Sequence, residues 1–145
     1  MKLKIKLREL NACRDAENWV GDRELSDVWA ACERGDWMLW YAARAGCDRR
    51  KVVLAACACA RLALQYVPPG EERPRLAIEA AEGWCRGAVE IEAVRTAADA
   101  ATAAYAASYA ASYAAAAAAA ARYRTLSECA SLVRKIISVQ DMELL

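Results

Sequence analysis

The sequence predicts an all-α fold, a compact bundle of about seven helices with one long alanine-rich central helix. Apolar residues recur at three- and four-residue spacings through most of the 145-residue chain, which is the period of an amphipathic helix. Gly, Pro, Asp and Ser fall between those stretches, where helices stop and start. From Glu90 to roughly Arg124 no Gly or Pro interrupts the chain, and alanine, the strongest helix former, dominates it.

The first residues are the exception to the helical period. Lys2-Leu3-Lys4-Ile5-Lys6-Leu7 alternates polar and apolar, which predicts a short strand or an extended arm over residues 1–7. A helix from about Arg8 to Val20 follows, with Leu10, Cys13 and Val20 on one face, and Gly21-Asp22 ends it. Ser26 is placed to cap a helix running to Arg34, with Val28, Trp29 and Cys32 inward and Gly35 as its stop. Asp36 then caps Trp37–Ala45, and Gly46 ends that helix in the left-handed conformation. Asp48 caps the strongest helix, Arg49–Tyr66, whose broad apolar face includes Val52, Val53, Ala56, Ala60 and Leu64.

Val67-Pro68-Pro69-Gly70 is the clearest loop, because proline can neither continue a helix nor let its predecessor stay in the α region. Pro74 sits in the first turn of the next helix, behind Glu71 and Glu72, and Gly87 closes it. The alanine-rich helix comes after Glu90, and a last helix spans about Leu126–Val139, leaving 140–145 as a frayed tail. At ~1.5 Å per residue the alanine-rich stretch is about 52 Å long, against a radius of gyration of about 15 Å for a chain of this size. It therefore breaks or spans the whole domain. The length suits one domain over residues 1–145.

Composition narrows the function. Lys+Arg 20 against Asp+Glu 19 gives a net charge of +1, so the chain is neither a strongly basic nucleic-acid binder nor an acidic mimic of one. It holds no His, which removes Ser-His-Asp and Cys-His catalysis and helical zinc motifs of the HExxH type. Seven cysteines, an odd number, are scattered at positions 13, 32, 47, 57, 59, 85 and 129, and MKLKIKLREL lacks the apolar core of a secretory signal. They read as reduced thiols filling a helical core in the cytoplasm. The run Ala97–Ala121 is too weakly apolar to span a membrane.

The remaining constellations each have a bland counterpart. Cys57 and Cys59 are two apart, so on a helix they point about 200° away from each other and cannot chelate one ion. No metal site is expected, and no cofactor. Cys47, beside Asp48-Arg49-Arg50 at a helix N-terminus, is the best candidate for an activated thiol, but nothing supplies a general base. Glu79 and Glu82 lie three apart and could form an acid pair, although an ordinary surface pattern with Arg75 and Arg86 is commoner. The five Trp replace the missing Phe as core filler or line a groove: four fall between Trp19 and Trp40. Tyr105, Tyr109 and Tyr113 recur every four residues, each about 40° round from the last, as the edge of a core helix or as an exposed ridge for a partner.

One set of residues carries a family resemblance. Cys32-Glu33-Arg34-Gly35-Asp36-Trp37-Met38-Leu39-Trp40, then Asp48-Arg49-Arg50 and Cys57-Ala58-Cys59-Ala60-Arg61, continue into Pro68-x-Gly70-Glu71-x-Arg73-Pro74 and Ala77-Ile78-Glu79-x-Ala81-Glu82-x-Trp84. Together with the Ala/Tyr-rich helix this resembles the bacterial and phage family labelled "putative immunity protein", the immunity-five-like domain, from Asn11 to Ala121. The resemblance implies a stoichiometric inhibitor made in the cytoplasm of a bacterial host to occlude a toxin or nuclease, with no catalytic residue to carry over.

The residues agree: there is no catalytic constellation, and Trp, Tyr and Arg are in surplus for a binding surface. The expected site is Trp37, Trp40, Arg49, Arg50, Arg73 and Glu79. Tyr105, Tyr109 and Tyr113 are a second interface that could pair copies of the chain. A phage-carried anti-defence protein binding a bacterial immune complex, in the manner of an anti-CRISPR, would present the same surface. The competing reading is a sensor of a small molecule or nucleotide, with an anionic ligand held in a Trp-lined pocket by Arg49, Arg50 and Arg73.

Overall fold

Leu3 and Leu7 are each only 5% exposed while Ile5 between them is 47% exposed. That difference makes the first element a helix. In the computed structural model, which describes residues 3–96 and 115–143, α1 is Leu3–Glu9. The strand or arm expected over residues 1–7 is not formed. The Leu-x-x-x-Leu spacing hidden inside the alternation satisfies a helix as well as a strand, and burial of the i, i+4 pair decides for the helix.

The single helix expected from about Arg8 to Val20 is divided: Arg8 and Glu9 belong to α1, and α2 is Arg14–Val20. The chain turns at Asn11, which has φ 59°, a left-handed conformation that Asn tolerates better than most residues. α3 (Leu25–Ala31) starts two residues earlier than expected, after Glu24 rather than Ser26, and no side chain caps it. It also ends earlier, before Cys32. Gly35 is not a stop but the first residue of α4 (Gly35–Arg44). Asp36 lies inside that first turn, where its carboxylate receives two hydrogen bonds from the Arg34 guanidinium.

α5 (Arg49–Ala63) is capped as expected: the Asp48 side chain accepts from the Arg50 N–H at 2.9 Å. Its last turn tightens into a 3-10 turn, Leu64–Tyr66, before the Pro68-Pro69 loop. α6 (Arg73–Cys85) carries Pro74 in its first turn, and Gly87, at φ 74°, follows its end. Residues 91–96 form α7. The break expected near Arg124 is absent, since α8 (Ala115–Ile136) runs through it. Nothing from Arg122 to Thr125 is a breaker, and the buried series Cys129, Val133 and Ile137 holds the C-terminal part of this line on the core.

α9 (Gln140–Glu143) corrects the frayed tail. Met142 is 2% exposed, and Asp141 accepts from the backbone N–H and hydroxyl of Ser138 and from the Lys51 ammonium.

α4 and α5 both pack on α8, and α6 packs on α5. Ala42, Ala55 and Ala130, one on each of α4, α5 and α8, have no exposed surface. Small side chains there let the three helix axes approach closely, and dense packing carries much of the stability. α3 is tied to the end of α8 by the Trp29 indole N–H, which donates to the Ile137 carbonyl at 3.1 Å. No strand occurs among the described residues, and none of their helices is long and apolar enough to cross a membrane.

Candidate functional site: the corner between α4 and α5

The turn between α4 and α5 is short and well determined. The Ala45 N–H bonds the Tyr41 carbonyl, Gly46 adopts φ 83°, and the Cys47 N–H reaches back to Ala42 at 3.0 Å. The bond from Cys47 to Ala42, with Gly46 left-handed between, is the 6→1 bond of a Schellman-type cap, and Cys47 is buried. Asp48 then starts α5 at once. Two helix ends are thereby fixed within four residues, and Arg44, Arg49 and Arg50 project from them.

Each of these arginines lies over an indole. The Arg44 guanidinium is 5.4 Å from the Trp40 ring centre, one helical turn away on α4. Arg49 and Arg50 lie 5.5 Å and 5.7 Å from the same ring, that of Trp84 near the end of α6. The Cys85 thiol, bonded to the Arg50 carbonyl, ties that end of α6 to the start of α5. Such stacking is worth about 0.5–1 kcal/mol at an exposed site, enough to orient a guanidinium without neutralising it.

The charge at this corner is only partly compensated: Asp48 caps α5 through the Arg50 N–H but forms no ion pair with an arginine side chain among the described residues. The first turn of α5 contains no acid and three consecutive cations. Helix N-termini carry partial positive charge and favour anions, so cations there oppose the helix dipole. Lys51 is neutralised by Asp141. Arg44, Arg49 and Arg50 have no carboxylate partner among the described residues, like Arg14, Arg23, Arg86 and Arg134, whereas Arg8, Arg34, Arg61, Arg73 and Arg95 each have one and Arg75 has two.

The residues expected from sequence divide accordingly. Trp40, Arg49 and Arg50 belong to this corner. Trp37 is on α4 but faces elsewhere, with its ring centre 6.1 Å from that of Trp19 and the Arg34 guanidinium over it. Arg73 is bound to Glu71 at the start of α6, about 16 Å along the helix from Trp84 at ~1.5 Å per residue. Glu79 pairs with Arg75 on the same helix. Tyr105, Tyr109 and Tyr113 lie outside the described residues. Two corner residues were missed: Arg44, which its i, i+4 spacing from Trp40 signals, and Trp84, which only the packing of α6 on α5 brings in.

The structure supplies no acid–base pair or reactive thiol to this region. Glu82 does not face Glu79; it takes two hydrogen bonds of 2.7 Å from Arg61, which hold its carboxyl below the usual range. Burial pushes the Cys47 thiol up, so its helix-terminal position does not activate it. Cys57 turns to the Ile78 carbonyl on α6 and Cys59 to the Cys129 carbonyl on α8, on opposite sides of α5 as their spacing requires. Desolvation raises them to about 11 and about 12. No group of metal-binding side chains occurs among the described residues. The anion pocket expected of Arg49, Arg50 and Arg73 is not assembled: the apolar cavity of about 500 Å³ in this molecule is lined by no arginine.

A model of the family described as "Imm-5 like putative immunity protein" matches residues 46–127, more than half of the chain. The chain belongs to that immunity-protein family. The match starts at Gly46, in the α4–α5 turn, whereas the resemblance read from the sequence starts at Asn11. The match takes in Arg49, Arg50 and Trp84, and leaves α1–α4 outside. No curated protein and no solved structure is significantly similar to the chain.

Proposed function

We propose that this protein is a non-enzymatic inhibitor of the immunity type, which neutralises a toxin, nuclease or defence effector in the cytoplasm of a bacterial host by covering it. The observation that carries this reading is the α4–α5 corner: three arginines without carboxylate partners among the described residues, each oriented by an indole. Arg and Trp dominate binding hot spots because they combine large area with directional polar contacts. A corner of net positive charge, three arginines against the one Asp48 carboxylate, fits an acidic surface on the partner, and attracts it over a Debye length of ~8 Å at physiological salt. The same corner serves an anti-defence protein that blocks a bacterial immune complex, so the two readings share a mechanism and differ in target.

The test is affinity capture from the native host, or from that host after phage infection, with tagged wild-type protein beside an Arg49→Glu/Arg50→Glu variant. The expected result is one partner held in stoichiometric amount by the wild type. At about 1–3 kcal/mol for each interface arginine, the double reversal weakens binding tenfold or more. Equal capture by both proteins removes the corner from the interface, and capture of no partner by the wild type removes the inhibitor reading.

A further inference from the structure

The four helices that precede the family-matched region, α1, α2, α3 and α4, line a half-open apolar cleft of about 500 Å³. We propose that it is a binding site for a flat, uncharged aromatic molecule of about three rings, a function distinct from that of the partner-binding corner, with which it shares Trp40. Size sets the first limit. An apolar cavity of about 150 Å³ holds one benzene ring, so this one holds about three, and it falls within the ~300–1,000 Å³ range of small-molecule sites.

The lining sets the chemical class. Trp19, Trp29, Trp37, Trp40 and Tyr41 all border the cavity, with aliphatic side chains and Ala16 between them. Aromatic rings favour the tilted and offset stacking that several indoles at different angles offer. The bordering carboxylate, that of Asp36, is bound to Arg34. A charged ligand would therefore lose its hydration without gaining a free partner, while Asn11 offers one neutral polar contact at the edge.

The walls are also held in place. Trp19 and Trp37 stand at 59° to one another, and Arg23 and Arg34 cover them at 4.3 Å each. The Trp29 indole is fixed from behind by its bond to Ile137. Side chains ordered before binding lose little freedom when a ligand arrives.

The experiment titrates the full chain with 2-phenylindole, a neutral three-ring aromatic, following its fluorescence, with native mass spectrometry for stoichiometry. Ala16→Leu fills the cavity from its buried wall, and Ala12→Phe fills it from a half-buried position that the fold tolerates more easily. The expected result is saturable 1:1 binding to the wild type, weakened at least tenfold in whichever filled variants keep the wild-type helical signal and melting profile. Absence of saturable 1:1 binding to the wild type, or unchanged affinity in a folded filled variant, overturns the proposal.

Discussion

Gly35 and Cys129 are in backbone contact: a Cβ built on Gly35 falls 2.4 Å from the Cys129 Cβ. The same point lies 2.8 Å from the Cys129 carbonyl carbon and the Ala130 nitrogen. The first turn of α4 therefore rests directly on the backbone of α8, which only a residue without a side chain allows. Gly35→Ala forces the helices apart and is expected to cost at least the ~1–3 kcal/mol of an overpacked core. Cys129→Ala keeps the Cβ that clashes, and even Cys129→Gly leaves the backbone carbon and nitrogen in place, so neither relieves it. Thermal unfolding of Gly35→Ala, Cys129→Gly and the double variant checks this, and rescue by Cys129→Gly would refute the backbone contact.

Arg134 closes the other contact between α8 and the N-terminal helices. Its guanidinium donates to the Trp29 carbonyl at 3.2 Å and to the Cys32 carbonyl at 2.6 Å, groups at the end of α3 that have no helical partner. Hydrogen bonds from a charged donor are worth about 1.5–3 kcal/mol. Arg134→Met, which keeps the apolar stem, is expected to lose about that much in a denaturant titration. A loss below ~0.5 kcal/mol would mean water replaces the guanidinium freely.

The thiols are expected to separate into reactive and inert sets. Cys13 is exposed, while Cys57 and Cys59 are held at about 11 and about 12 by desolvation and stay protonated at pH 8. Iodoacetamide at pH 8, followed by peptide mass spectrometry, should modify Cys13 first and reach Cys57 and Cys59 only on unfolding. Labelling of all three at one rate would contradict the packing of α5 between α6 and α8.

Acid acts through the tail and the loop before α6. Lys51 and Ser138 hold the Asp141 carboxyl down at about 2, and Arg73 does the same for Glu71. A carboxyl with a depressed native pKa binds fewer protons folded than unfolded. Its contribution is complete above about pH 4–5 and disappears as pH falls towards 2. The melting-temperature gap between wild type and Asp141→Asn should narrow steadily from pH 5 to pH 2. A constant gap over that range would show that the Lys51 pair does not anchor α9.

How much of this was legible in the sequence depends on whether the signal is local. Asp48, Pro74 and Gly87 act on their own neighbours through capping and ring geometry, and α5 and α6 follow the reading closely. Gly35 misled because its role is set by Cys129, over ninety residues away in the chain, and a glycine chosen for close approach looks like one chosen for a stop. Leu3 and Leu7 misled because one pattern fits two periods until burial selects between them. Of the six candidate residues Trp37, Trp40, Arg49, Arg50, Arg73 and Glu79, only Trp40, Arg49 and Arg50 flank the α4–α5 turn. Trp84 was not readable, because its place over Arg49 and Arg50 depends on how α6 packs against α5.

Inhibition by occupancy is read out by titrating the captured partner. The partner's own activity is measured against rising amounts of purified wild-type protein, with Arg49→Glu/Arg50→Glu in parallel. The expected result is a linear loss of activity that ends at one equivalent, and a smaller loss at that ratio with the variant. Complete inactivation by a small fraction of an equivalent would reveal turnover and an enzyme, and an undiminished activity at excess wild type would contradict the inhibitor outright.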